Sequence, residues 1–299
     1  EIYRRDGVLE DGQVELGLED LERAVQADQS DTEAFIKYLA FRLERTIRET
    51  DEEDTETRLQ ALRDNLDLIE QRLDANLGEP TLLAHRLVVN FNIDRTGLIQ
   101  ARKRGEDITD RIAGMIEEYR QKTADLYDRI ANADLEKISL MTVEQLLTIE
   151  QTLSQPPTFA YTRRLLGRLI EADPQNAGLL NFAGQLAKRA NDYEDSYGLY
   201  ERVGGLKVKP LSLEGLRQFG IQRYALLMRS EIRIEQANAA GSRDDGVIKE
   251  QRIGEAKELR DAYAAQVQED NPTLVLLDGK IASAEGRSAD ALRLFKRFN

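Results

Sequence analysis

The chain has 299 residues, 41% hydrophobic and 32% charged, with a formal net charge of −13. It is too apolar for a disordered chain. Its acidity opposes DNA, RNA and anionic membrane surfaces, which require basic stripes, and its longest Lys/Arg run is Arg102-Lys103-Arg104.

With no cysteine, disulfides, thiolate zinc sites and cysteine nucleophiles are excluded. No apolar run approaches the ~18–20 residues of a membrane span, so no direct membrane insertion is expected from this segment. The sequence starts at Glu1 rather than Met, so no targeting signal, and hence no compartment, is legible.

Nearly everything reads as helix, arranged as seven antiparallel pairs. In chain order these are 2–9 with 13–27, 32–48 with 52–75, 80–92 with 105–132, 142–153 with 157–171, 177–190 with 193–204, 212–238 with 246–268, and 272–285 with 288–298. The six prolines fall at boundaries, where a fixed φ and a missing N–H are tolerated. Ser30 or Asp31, Ser212 and Ser288 stand where a short side-chain oxygen accepts the orphan N–H groups of a first turn. Segment 105–132 carries Ile112, Ile116, Tyr119, Leu126 and Ile130 at near-heptad spacing and is read as a long helix of the array rather than a coiled-coil seam.

Stretches 143–176 and 177–210 can be laid on each other in one 34-residue register. The second reads Asp173-Pro174-Gln175-Asn176, then Leu180, Ala183-Gly184, Ala187, Asn191, Tyr193, Ser196, Tyr200 and Val203. The first carries Leu146, Ile149 and Leu153, then Phe159, Thr162, Leu166 and Leu169, with Glu150 where a small residue belongs. Gly279, Gly286, Ala291 and Phe295 echo the register in the last pair, and Gly12, Gly17, Leu21 and Ala24 in the first. This pattern resembles the tetratricopeptide repeat, a helix–turn–helix unit that stacks into a solenoid.

The resemblance implies an all-α, right-handed superhelical solenoid of about seven antiparallel pairs. One solenoid is expected over 1–299: divergent repeats over 1–140, two regular repeats over 141–210, then an elongated pair and a terminal repeat over 211–299. In that family the first helix of each pair lines a concave groove. Carried over, the groove positions are Glu144, Leu147, Gln151 and Gln155 in one repeat, and Gly178, Asn181, Gln185, Lys188 and Arg189 in the next. Gln151, Asn181, Gln185, Lys188 and Arg189 are the candidate peptide contacts. Asn181, Gln185 and Arg189, spaced by four, share one helix face. Asn and Gln offer both donor and acceptor to a peptide edge, and Arg adds a charge-assisted bond to a carboxylate.

A search for catalytic chemistry finds no candidate. His85 is the one histidine and lies on a helix face among Leu82, Leu83, Leu87 and Val88. There is no Gly-x-Ser-x-Gly elbow, no phosphate loop and no calcium loop. No catalytic residue, metal or cofactor is therefore expected. The expected function is a noncatalytic scaffold for a protein or peptide partner. Two alternatives stand beside it: a self-associating architectural segment, and a helical regulatory domain of an enzyme encoded outside these residues. RNA-reading helical repeats have a similar period, but the charge counts against them. The truncated first helix and the stop at Asn299 lead to the expectation of a piece of a longer repeat protein. The excess of 31 arginines over 11 lysines is compatible with a GC-rich bacterial genome.

Overall fold

The structure, a computed structural model, describes residues 11–49, 54–76, 78–133, 135, 138–153, 159–207, 213–268 and 271–298. Among them lie thirteen α-helices and no strand. They are α1 Asp11–Ala27, α2 Thr32–Glu49, α3 Thr55–Ala75, α4 Pro80–Lys103, α5 Thr109–Ala131, α6 Leu140–Leu153 and α7 Ala160–Ala172. Then follow α8 Ala177–Arg189, α9 Tyr193–Gly204, α10 Leu213–Gly241, α11 Gly246–Ala264, α12 Pro272–Ala284 and α13 Ser288–Phe298. The predicted helix 2–9, the cap Ser212, Pro156-Pro157, Pro210 and Gln155 lie outside the described residues.

Local chemistry sets most starts. Asp54, Glu79, Asn176, Asp192, Asp245 and Asn271 each accept a first-turn N–H of the helix that follows, worth about 1 kcal/mol per cap. Of the two residues offered for the start of α2, Asp31 is the cap: its Oδ1 accepts from Ala34 N at 2.9 Å, while Ser30 bonds back to Asp28. Ser288 is the first residue of α13 rather than its cap.

Helix α4 corrects the sequence reading most. It continues eleven residues past the predicted end at Asn92, to Lys103. The polar run Asn90–Gly97 looks like a turn, yet its side chains serve the helix itself. Asn90 Nδ2, Asn92 Nδ2 and Thr96 Oγ1 donate to the carbonyls four residues back, at 3.0, 3.0 and 2.7 Å. Asp94 accepts the Tyr119 hydroxyl of α5 at 2.7 Å. Tyr119 is fully buried and meets Phe91 edge-on at 5.1 Å, so aromatic packing holds this end of α4 in place.

The chain divides into two compact units, Glu1–Leu165 and Leu166–Asn299, with the boundary inside α7. In the first, Phe35, Ile36 and Leu39 of α2 pack with Leu62, Ile69 and Leu73 of α3 and Leu82 and Val89 of α4. A second cluster joins Val88 and Phe91 of α4, Tyr119 of α5, and Ile149 and Leu153 of α6. Helices α2, α4 and α6 lie side by side, with α3 and α5 packed against α4. The α4–α6 contact is partly polar: Thr81 and Thr142 hydroxyls bond at 2.8 Å, and His85 Nδ1 lies 2.9 Å from Gln145 Oε1.

Burial pushes the His85 pKa down, against a small opposing effect of the Gln145 bond. The unfolded chain thus binds the proton more readily, and stability falls as pH drops through the unfolded value near 6.5. Wild type is expected to lose stability faster than His85→Gln between pH 7 and 5, with an excess slope up to the one-proton limit of about 1.4 kcal/mol per pH unit. Urea melts at each pH read it; parallel slopes would place the imidazole in a solvated site.

In the second unit, α8, α10 and α12 form one layer and α9, α11 and α13 pack against it. Its core joins Ile234 and Ala237 of α10, Ile253 and Ala256 of α11, and Leu277, Ile281 and Ala284 of α12. Two helix pairs use the same crossing. A Cβ on Gly184 would come within 3.0 Å of the Tyr200 ring, and one on Gly279 within 2.5 Å of Phe295 Cε1. Each aromatic lies sixteen residues after its glycine, and a buried small residue, Ser196 or Ala291, lies twelve after. Missing side chains let the aromatic rings seat directly on helix backbone. Ser196 Oγ adds a bond to the Gly184 carbonyl at 2.8 Å.

Glu150 occupies the corresponding place one repeat earlier. Rather than admitting a ring, its buried carboxylate caps α7. It accepts Tyr161 N at 3.0 Å, Thr162 N at 2.8 Å and Thr162 Oγ1 at 2.5 Å. Thr162 follows Glu150 by the same twelve residues, so the register persists while the chemistry of the contact changes.

Candidate interaction face

The predicted contacts of α8 lie on the layer that α8 forms with α10 and α12. Their common face follows from the four-residue spacing of Asn181, Gln185 and Arg189 on a helix whose other side is the buried set Leu179, Leu180, Ala183, Leu186 and Ala187. Asn181 and Gln185 are half-buried and Arg189 is exposed. Asn181 Oδ1 is buried with no hydrogen-bond partner, an unmet acceptor worth about 1–3 kcal/mol to whatever satisfies it.

Lys188 is engaged within the fold. Its Nζ lies 2.8 Å from Glu231 Oε2 and 3.5 Å from Glu235 Oε1, both on α10. Glu231 Oε1 in turn takes Lys280 Nζ of α12 at 2.5 Å. One carboxylate thus ties three helices across the layer. Burial works against the Glu231 charge, but hydrogen bonds from Lys188 and Lys280 outweigh it and hold the pKa below the ordinary value. Burial likewise opposes the Lys188 charge, and Glu231 and Glu235 overcome it and raise its pKa.

Tyr224 of α10 completes the face. It is 36% exposed, stands edge-on to the buried Tyr200 at 6.2 Å, and has its pKa raised chiefly by partial desolvation, with Lys188 and Arg189 among the nearby charges. The face therefore presents the Gln185 amide, a phenol and a guanidinium outside any ion pair among the described residues, above the buried and unpartnered Asn181 Oδ1. Lys188 and Lys280 are already committed to Glu231.

The remaining predicted positions lie in the first unit. Gln151 is exposed on α6, and Leu147 is buried. Glu144 is exposed, and its pKa is raised by partial desolvation and by Glu33 of α2, with Lys37 offsetting part of that effect. Sequence reasoning missed Tyr224, Glu231 and Lys280, because the register is stretched through α10 and gave no groove positions there. The legible signal was the acidic pair Glu231 and Glu235, four apart on one side of α10. Among the described residues no group of three His, Asp or Glu could hold a metal ion, and no helix is long and apolar enough to cross a membrane. No protein-family model matches the chain, and no curated protein matches it.

Proposed function

We propose that this chain is a divergent tetratricopeptide-like solenoid that acts as a noncatalytic scaffold. Its partner, a protein or peptide segment, runs along the α8–α10–α12 face. The repeated crossing of Gly184 with Tyr200 and Gly279 with Phe295 supports the repeat, since small residues below aromatics at a constant offset are what stacked helix pairs need. In this reading the layers continue as a right-handed superhelix, with the first helix of each pair on its concave side.

The observation that carries the binding face is the buried, unpartnered Asn181 Oδ1 on the same helix face, about two turns from an Arg189 that has no ion pair among the described residues. Gln185 bonds a peptide edge, Arg189 takes a carboxylate, and the Asn181 amide rotates outward to accept the backbone N–H that it lacks inside the fold. Lys188 contributes indirectly, by fixing α8 against α10. The test is capture of partners from cells that make the protein, with wild type and with Asn181→Leu/Arg189→Glu. Loss of one charged hydrogen bond and one amide bond predicts at least about 30-fold weaker retention, or ~2 kcal/mol, with helical content unchanged. Equal retention by the variant would remove this face from binding.

A further inference from the structure

A second surface, in the first unit, carries its own recognition chemistry. Helices α3, α4 and α5 enclose two adjoining cavities of about 320 and 420 Å³ that share Glu70, Leu83, Arg86 and Arg129. Together they form a trough floored by α4 and walled by the C-terminal halves of α3 and α5. The floor sets Leu83 and Leu87 of α4 beside Arg86 and Asn90, and Leu73 and Leu126 line the lower walls. The rims differ in sign. On α3 stand Glu70 and Asp74, one turn apart; on α5 stand Lys122 and Arg129, two turns apart. Asp125, between those two cations, is bonded by Gln121 at 2.8 Å.

These rim charges are poorly used by the fold. Asp74 and Arg129 are both exposed, and among the described residues neither has an ion-pair or hydrogen-bond partner. Glu70 meets Arg86 only at 3.4 Å, with both side chains well exposed. Lys122 alone has a short pair, with Glu118 at 2.6 Å. Two leucines one turn apart on α4, roughly 6 Å, flanked by Leu73 and Leu126 and set between an acidic and a basic rim, match a short apolar stripe on one side of a helix.

The geometry points to a docking trough for an amphipathic helix of a partner, whose aliphatic stripe fills the cavities. Lysine or arginine lines its edge toward α3, and glutamate or aspartate its edge toward α5. Apolar burial supplies the affinity, and the rims select which edges are accepted. This surface is independent of the α8–α10–α12 face and stands whether or not that face binds.

The probes are three fluorescein-labelled helical peptides of about 18 residues, about five turns, with one leucine stripe. They carry lysine on one edge and glutamate on the other, lysine on both, or glutamate on both. Binding to the full chain is read by anisotropy at physiological salt, where long-range attraction to the acidic protein is screened. The mixed-edge peptide is expected to bind at least about 10-fold tighter than either single-sign peptide. Glu70→Lys/Asp74→Lys, with two basic rims, should shift the preference to the all-glutamate peptide, and Arg129→Glu to the all-lysine peptide. All three residues are exposed, and circular dichroism of each variant checks the fold. Absent binding of every peptide, equal binding of all three, or a preference unmoved by the variants overturns the proposal. So does a concentration-dependent dimer that Arg129→Glu abolishes, which would assign the trough to a second copy of the chain.

Discussion

Glu150→Ala is expected to destabilise the protein by about 3 kcal/mol, as the sum of one charged acceptor lost and buried donors left unmet. The carboxylate is buried and takes two backbone N–H groups at the start of α7 together with the Thr162 hydroxyl. Alanine leaves the N–H groups of Tyr161 and Thr162 without acceptors, and Thr162 is itself fully buried. Glu150→Gln should recover only part, because one end of the amide is a donor facing donors. Urea unfolding gives the size of the loss. Hydrogen exchange locates it: the amides of Tyr161 and Thr162 should lose protection ahead of the rest of α7. A loss below ~1 kcal/mol, the scale of an ordinary exposed cap, would mean that the first turn of α7 is solvated and that Glu150 is a surface residue.

The second large effect belongs to Glu231. Removing one partner of a buried ion pair costs about 3–5 kcal/mol. Here the Lys280 side chain is 39% exposed and Glu235 stays within 3.5 Å of Lys188, so about 2 kcal/mol is expected for Glu231→Gln after solvent screening. The pH dependence has a definite sign. The Glu231 pKa is lowered in the fold, so its contribution is present above the unfolded value and is lost as pH falls through the folded one. The Lys188 pKa is raised, so the same pair persists until pH rises past the unfolded lysine value toward the folded one. Melts of wild type and Glu231→Gln should differ at pH 7, and the difference should shrink steadily as pH falls below the unfolded carboxylate value. A difference that does not shrink on acidification would assign the loss to packing rather than to charge.

The two effects mark where sequence reading succeeds and where it stops. Helix ends set by proline, glycine and short polar caps were legible, because those residues act within one turn of where they stand. The end of α4 was misread, because Asn90, Asn92 and Thr96 can serve a helix or break it, and only Tyr119, brought in from α5 against Phe91 and Asp94, decides between these. Glu150 looked like a departure from the repeat, since the pattern asks for a small residue beneath a large one. A carboxylate reaching donors twelve residues away meets the same geometric need by different chemistry, and no spacing rule announces it. At the candidate face, the stripe Asn181, Gln185 and Arg189 followed from helical period alone. That Lys188 would be drawn to Glu231, and Glu231 to Lys280, depends on contacts spanning 43 and 49 residues. The stretched register of α10 hides those contacts.

The central claim, that a partner lies along α8, α10 and α12, is tested most directly by placing a photo-crosslinking amino acid at Gln185 and, separately, at the exposed Arg202 of α9, in cells that make the protein. Adducts of defined mass from position 185, absent from position 202 and lost when Arg189→Glu is added, are the predicted result. Adducts of equal yield from both positions, or adducts at 202 alone, would contradict the account.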